Sequence, residues 1–287
     1  IVFGDWSSDV CSSDLLEKAL KRIQKCVKMS SENNEPIKFT MLEKRVALVS
    51  FNRPHVRNAF NFPTLQKLDA LVDEIAQNEK VRVVIFRGEG GHFSSGNDLK
   101  AAMTPEEINA AQRLGRNLCL KIMYLPQISV AAIEGYALGG GFEIALAADI
   151  RIASTTAKMG LPELHFGYPI AWGGWNLLGH LVSLPIAKQI VLLGEHISPS
   201  QAQAWGLVAK VYEENEFEAK LMEHLKKLQS LNPELIQLSR LALNQAIESP
   251  LSNTTTLADE VFEINYSRDR KERTRLFRER LSKKYFP

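Results

Sequence analysis

Cysteine is scarce. Only Cys11, Cys26 and Cys119 occur in 287 residues, and their spacing fits neither a metal site nor a paired disulfide framework. Free thiols and a reducing, cytoplasmic setting are the expectation. Six histidines, His55, His92, His165, His180, His196 and His224, also lack zinc-ligand spacing and read as structural or surface residues. Apolar runs are short, broken by glycine, proline or charge before the ~18 residues that a membrane helix needs. A surplus of charge is missing too. Lys and Arg number 35 against 33 Asp and Glu, a net +2, so no nucleic-acid partner is expected. There is no nucleophile elbow with a Ser–His–Asp order, no dinucleotide-binding glycine fingerprint, no internal repeat and no low-complexity tract.

What is present is the composition of a globular protein, 45% hydrophobic and 24% charged, long enough for one large or two small domains. Residues Gly4 to Leu15 hold a near-repeat of Ser-Ser-Asp followed by Val or Leu. Their back-translation resembles a sequencing-library adapter, so residues 1–15 are expected to be non-native. Residues 16–36 read as a basic helical segment and a polar linker. Residues 38–42 and 45–51 read as a hairpin. Thr64 is placed to cap a helix through Gln77. Strand and helix then alternate: a strand over 81–87, a helix from Pro105 to about Leu125, a strand over 128–133, a glycine-led helix to Ala148, and strands over 149–153 and 158–161. This alternation predicts an α/β fold. After Gly167 the pattern is mostly helical, with helices over 172–181, 185–193, 198–205, 216–231, 233–247, 254–266 and 270–284.

Two glycine-containing loops each leave a strand-like run. The first is His92-Phe93-Ser94-Ser95-Gly96-Asn97-Asp98-Leu99-Lys100. The second is Gly139-Gly140-Gly141-Phe142-Glu143, which opens a helix. Glycines permit close approach to the backbone. A helix start adds unpaired amides and partial positive charge. Glu143 lies in that first turn, and Glu163 follows in Gly160-Leu161-Pro162-Glu163. Two sets of amide donors and two carboxylates suit the stabilisation of an enolate with proton transfer beside it.

Together with Asn52-Arg53-Pro54, Asn58-Ala59 and Gly206-Leu207-Val208, these motifs make residues 38–286 resemble the enoyl-CoA hydratase/isomerase (crotonase) superfamily. The resemblance implies a spiral of ββα units (core 37–230) followed by a C-terminal helical oligomerisation region (231–287), and a homotrimer or hexamer. It implies an acyl-CoA substrate and no cofactor beyond the coenzyme A that the substrate carries. It places the oxyanion hole at the backbone amides of Asn97 and Gly140 and the proton chemistry on Glu143 and Glu163. Ser95 falls in the substrate loop. Arg57, Lys100 and Arg280 match positions near the nucleotide of coenzyme A. Many hydratases carry Pro-Gly-Ala-Gly-Gly after the second glutamate. This chain has Pro169-Ile170-Ala171-Trp172-Gly173-Gly174, so Trp172 is expected either as a wall of the acyl pocket or, because the proline is shifted, as a residue facing the core or a neighbouring subunit.

The activity implied is addition of water to a 2-enoyl-CoA thioester. Two alternatives stay open. The Ser95–Leu99 loop looks like that of some double-bond isomerases, and the basic segments 16–28 and 268–284 could serve a non-catalytic RNA-binding relative.

Overall fold

The structure is a computed structural model that describes residues 35–43, 45–101 and 104–248. The segments expected at 1–15, 16–28, 254–266 and 270–284, with Arg280, lie outside the described residues.

The fold is mixed α/β. In chain order the strands are β1 (Ile37–Glu43), β2 (Val46–Phe51), β3 (Val83–Gly88), β4 (Ile128–Ile133), β5 (Tyr136–Leu138), β6 (Ile150–Ser154), β7 (Lys158–Gly160) and β8 (Lys210–Tyr212). Six of them form one sheet in the order β1-β2-β3-β4-β6-β8, and β5 pairs with β7 in a second, two-stranded sheet. Only the β1–β2 hairpin is antiparallel; every later pair is parallel. The hairpin matches the sequence reading. The three-residue strands β5 and β8 do not show in the sequence, whereas the equally short β7 falls in the strand expected over 158–161.

The ββα repeat is visible in the pairing. β4 enters the large sheet, β5 enters the small one, and a helix follows. The loop after β3 adds a parallel bridge between Ser94 and Ala137 beside β5, and Asn97 bridges Phe60 in the loop after β2. The small sheet therefore gathers chain from successive turns above the C-terminal ends of the parallel strands. That is where open α/β sheets place their sites.

Helices α1 (Phe62–Gln77), α2 (Pro105–Met123) and α3 (Gly140–Ala147) come before β6. α4 (Gly174–Leu181), α5 (Leu184–Leu193), α6 (Pro199–Ala204), α7 (Glu214–Ser230) and α8 (Pro233–Glu248) come after β7. α1 begins three residues before the expected start. Asn61, not Thr64, is its cap, and the Asn61 side chain accepts from the Thr64 amide at 3.0 Å. α4 likewise begins at Gly174 and leaves Trp172 in the loop before it.

Because strand side chains alternate, the large sheet has two apolar faces. Ala47, Val49, Phe51, Val84 and Phe86 pack with Leu65, Leu68 and Val72 of α1, Leu118 and Ile122 of α2, and Phe142 of α3. Val46, Leu48, Val83 and Ile85 pack with Phe217, Leu221, Met222 and Leu225 of α7. Each such buried side chain contributes about 1.5–3 kcal/mol relative to exposure. The first face anchors the loops that build the site.

Candidate active site

The Asn52-Arg53-Pro54…Asn58-Ala59 motif is an anchor for the first glycine loop. Asn58 is buried and donates from Nδ2 to the carbonyls of Glu89 (2.8 Å) and His92 (2.6 Å), while its Oδ1 accepts from the Arg53 amide. Arg53 in turn donates to the Ala59 carbonyl and pairs with Asp98 at 2.9 Å. Ser94 donates from Oγ to the Asn58 carbonyl. The loop is thereby held on both sides of Asn97.

Around Asn97 the bridge to Phe60 is made by its neighbours. Phe60 donates to the Gly96 carbonyl at 2.8 Å, and Asp98 donates to the Phe60 carbonyl at 2.9 Å. The Asn97 amide is left out of this ladder and points the other way. Gly140 is the first residue of α3, so its amide has no partner within the helix. Among the described residues neither amide donates to a protein acceptor. The two loops touch. Gly96 has φ +88°, and a Cβ added there would lie 2.6 Å from the Leu138 carbonyl oxygen and 3.2 Å from the Gly140 nitrogen. Glycine at 96 is what lets the two donors converge.

Every residue of α3 is buried, so Glu143 is carried inward and is only 2% exposed. Its Oε1 accepts two amides, from Trp172 (2.9 Å) and Gly174 (2.8 Å). Its Oε2 has no hydrogen bond to protein. Burial pushes its carboxyl up to about 8; the Gly174 amide opposes this, the nearby Glu163 adds to it, and the Trp172 amide and the charge of Arg116 oppose it. Glu163 opens a short 3-10 helix, Glu163–Phe166, after β7. Its Oε1 lies against Gly139, 3.0 Å from where a Cβ would be, and its Oε2 is buried without a protein partner. Burial pushes it up to about 7, against a hydrogen bond from its own amide.

Ser95, Asn97, Gly140, Glu143 and Glu163 all line one cavity of about 150 Å³. Its further walls include Leu99, Ile108, Gln112, Phe166, Tyr168 and Ala171. Lys100 is exposed at the end of the first loop, its amide on Asp98 Oδ1. Arg57 is exposed outside the cavity, its guanidinium 5.1 Å from the centre of the Tyr136 ring, with Lys158 Nζ at 5.7 Å from the same ring. Arg57 still reaches the site through its carbonyl, which accepts from the Ser95 amide.

Of the two places expected for Trp172, the pocket wall and the core, the structure has the second. Its indole is 1% exposed and sits in the core, not on the cavity wall. A Cβ on Gly115 would come within 2.3 Å of the ring and one on Gly140 within 2.6 Å, so the indole lies between α2 and the oxyanion loop. The two bare glycines make the space that a smaller residue would leave empty. Sequence reasoning missed Gln112 and Lys158. Gln112 sits at helical spacing from Ile108, a signal that was readable only once α2 was known to face the cavity.

Among the described residues no group of three or more His, Cys, Asp or Glu side chains is placed to hold a metal, and no helix is long and apolar enough to cross a membrane.

Known proteins are similar to this chain in sequence and fold. The profile of the enoyl-CoA hydratase/isomerase family matches residues 41–286. A short-chain-enoyl-CoA hydratase of Clostridium acetobutylicum is 34% identical over 223 residues, 77% of this chain and 85% of the relative. The mitochondrial methylglutaconyl-CoA hydratase of Mus musculus is 32% identical over 248 residues, 84% of this chain and 79% of the relative. The crystal structure of an enoyl-CoA hydratase from Bacillus anthracis superposes with a TM-score of 0.78 at 31% identity, covering 85% of this chain and 96% of that one. With the family profile matched over residues 41–286 and relatives above 30% identity along most of their length, the chain belongs to the enoyl-CoA hydratase/isomerase family.

Proposed function

We propose that the protein is an acyl-CoA hydratase that adds water across the double bond of a 2-enoyl-CoA thioester. The observation that carries this reading is the convergence of two unpaired amides and two buried carboxylates on one cavity. The thioester oxygen accepts from the Asn97 and Gly140 amides. As water adds to C3, negative charge moves onto that oxygen, and the fixed donors and the α3 N-terminus stabilise it without reorganising. Glu143 and Glu163 share the water: a carboxylate takes its proton, and C2 receives one. The step moves no net electrons and needs no metal or redox cofactor. Both carboxylates being present favours hydration over isomerisation, which requires one group to shuttle a proton along the chain. The hydratases named among the relatives support the same reading.

Arg57 and Lys158, which share the Tyr136 ring, and the exposed Lys100 are the cations suited to the phosphates of coenzyme A. Leu164, Phe166, Trp175, Leu184, Leu192 and Leu193 are exposed within one stretch of chain. Apolar surface of this kind suits contact between copies, as in a cytoplasmic homotrimer or hexamer with residues 231–287 adding helices to the core. The test is purified protein with crotonyl-CoA, followed by loss of the conjugated-thioester absorbance. Turnover is expected. Double-bond migration in 3-enoyl-CoA substrates, with no hydration of any 2-enoyl-CoA, would replace this reading by the isomerase.

A further inference from the structure

The cavity has a polar group that the hydration step does not use. Gln112 lines it from α2, one turn after Ile108, among Leu99, Ala101, Pro169 and Ala171. Its Oε1 is buried and has no protein hydrogen-bond partner, and no protein hydrogen bond ties down the rest of its amide. A buried carboxamide without a hydrogen-bond partner costs stability unless something bound there uses it.

One turn further along the same helix is Arg116, which is exposed and lies outside the cavity lining. Its Nε donates to the carbonyl of Ala171, itself a wall residue, at 3.3 Å. No carboxylate pairs with it among the described residues. Its charge nevertheless reaches the site, where it lowers the proton affinity of Glu143. Gly115, between the two, carries Trp172, so the register that brings Gln112 to the cavity is fixed by a core contact. An amide and a cation at i and i+4 share one helix face. A neutral hydroxyl would need only the amide; the adjacent guanidinium selects an anion.

We propose that Gln112 and Arg116 receive a carboxylate at the far end of the acyl group, so that the preferred thioesters are ω-carboxylated acyl-CoAs. The Gln112 amide donates to the carboxylate from Nε2, which makes no protein hydrogen bond among the described residues and is not buried as Oε1 is, and Arg116 supplies the compensating charge from the next turn. This rests on the hydratase reading for the chemistry but not for the binding.

The test therefore starts with equilibrium binding, using glutaryl-CoA and pentanoyl-CoA as saturated probes that cannot be hydrated. The wild-type protein is expected to bind glutaryl-CoA at least about tenfold tighter, as charge-assisted hydrogen bonds in a partly dry site allow. In Gln112→Leu and Arg116→Met this ratio should fall to about one. Gln112→Glu, which keeps size and polarity, should bring it below one by repulsion and serves if the leucine variant does not fold. A wild-type ratio of one or less, or a ratio unmoved in folded variants, overturns the proposal. The kcat/KM ratio for 2-pentenedioyl-CoA over 2-pentenoyl-CoA should follow the binding ratio. If binding discriminates but neither enoyl thioester is hydrated, the hydratase reading fails and the carboxylate site stands.

Discussion

The main-chain amide of Trp172 donates to Oε1 of Glu143 at 2.9 Å, while the indole of the same residue lies beneath Gly140. One residue thus braces the buried carboxylate with its backbone and the oxyanion loop with its ring. Replacing it by alanine empties a core position, which costs about 3–5 kcal/mol. Trp172→Ala is expected to melt at a markedly lower temperature and to lose kcat, because the loop above the cavity loosens. Its kcat/KM profile across an acyl-length series should run parallel to that of the wild type. A selective gain on longer or branched acyl groups would put the indole in the pocket after all.

The approach of the two loops depends on Gly96. At φ +88° with the Leu138 carbonyl against it, this position has no room for a methyl group. Gly96→Ala should therefore separate the Asn97 and Gly140 donors and reduce kcat by roughly a hundredfold, the usual scale for losing one oxyanion donor. Gly91 is the control. It also has positive φ, but open space surrounds it. Gly91→Ala should cost about 1 kcal/mol of stability and leave kcat unchanged. Equal losses of kcat in both would mean that backbone strain, not donor geometry, controls the rate.

These contacts show what the sequence could reveal. Glycine loops, a helix start with an internal glutamate, and the Asn-Arg-Pro and Asn-Ala pairs are local patterns. Each was legible because its chemistry depends on near neighbours. For Trp172 the sequence left two places open, pocket wall and core. Its environment is made by Gly115 and Gly140, 57 and 32 residues away in sequence, and volume complementarity at that distance leaves no periodic trace. Gln112 was hidden for a related reason: on an amphipathic helix a glutamine reads as solvent-facing until the opposing wall is known. Lys158 stood in an expected strand, but the face it presents depends on β5, which does not show in the sequence.

The two glutamates predict a pH profile. Burial holds Glu163 up at about 7 and Glu143 up at about 8, and because they sense each other these values belong to the pair. Below the lower value both carry protons and none can accept from water. Above the higher value neither carries one. The kcat/KM for a 2-enoyl-CoA should rise and then fall with pH, with its maximum between about 7 and 8. A profile that is flat from pH ~5 to ~9 would remove the pair from the rate-determining proton transfer.

Stability carries the same signature with a definite sign. The folded protein holds a proton on Glu143 up to about 8, whereas an unfolded chain releases it near the ordinary 4.5. Between those values the folded state binds more protons, so stability falls as pH rises through the window. Glu143→Gln does not titrate, and its carbonyl oxygen can still accept both amides. Its melting temperature relative to the wild type should therefore climb from pH ~5 to pH ~8, with a difference on the order of a few kcal/mol at the upper end. A difference independent of pH would show that the carboxylate is not held neutral by burial.

The most direct measurement is kcat for crotonyl-CoA hydration by Glu163→Gln, taken together with the dissociation constant of a saturated acyl-CoA. The substitution keeps size and hydrogen-bonding shape but removes proton transfer. The expected result is a loss of kcat of about a thousandfold, with the dissociation constant within about threefold of the wild type. A Glu163→Gln protein that hydrates crotonyl-CoA at near wild-type rate would contradict the two-carboxylate mechanism.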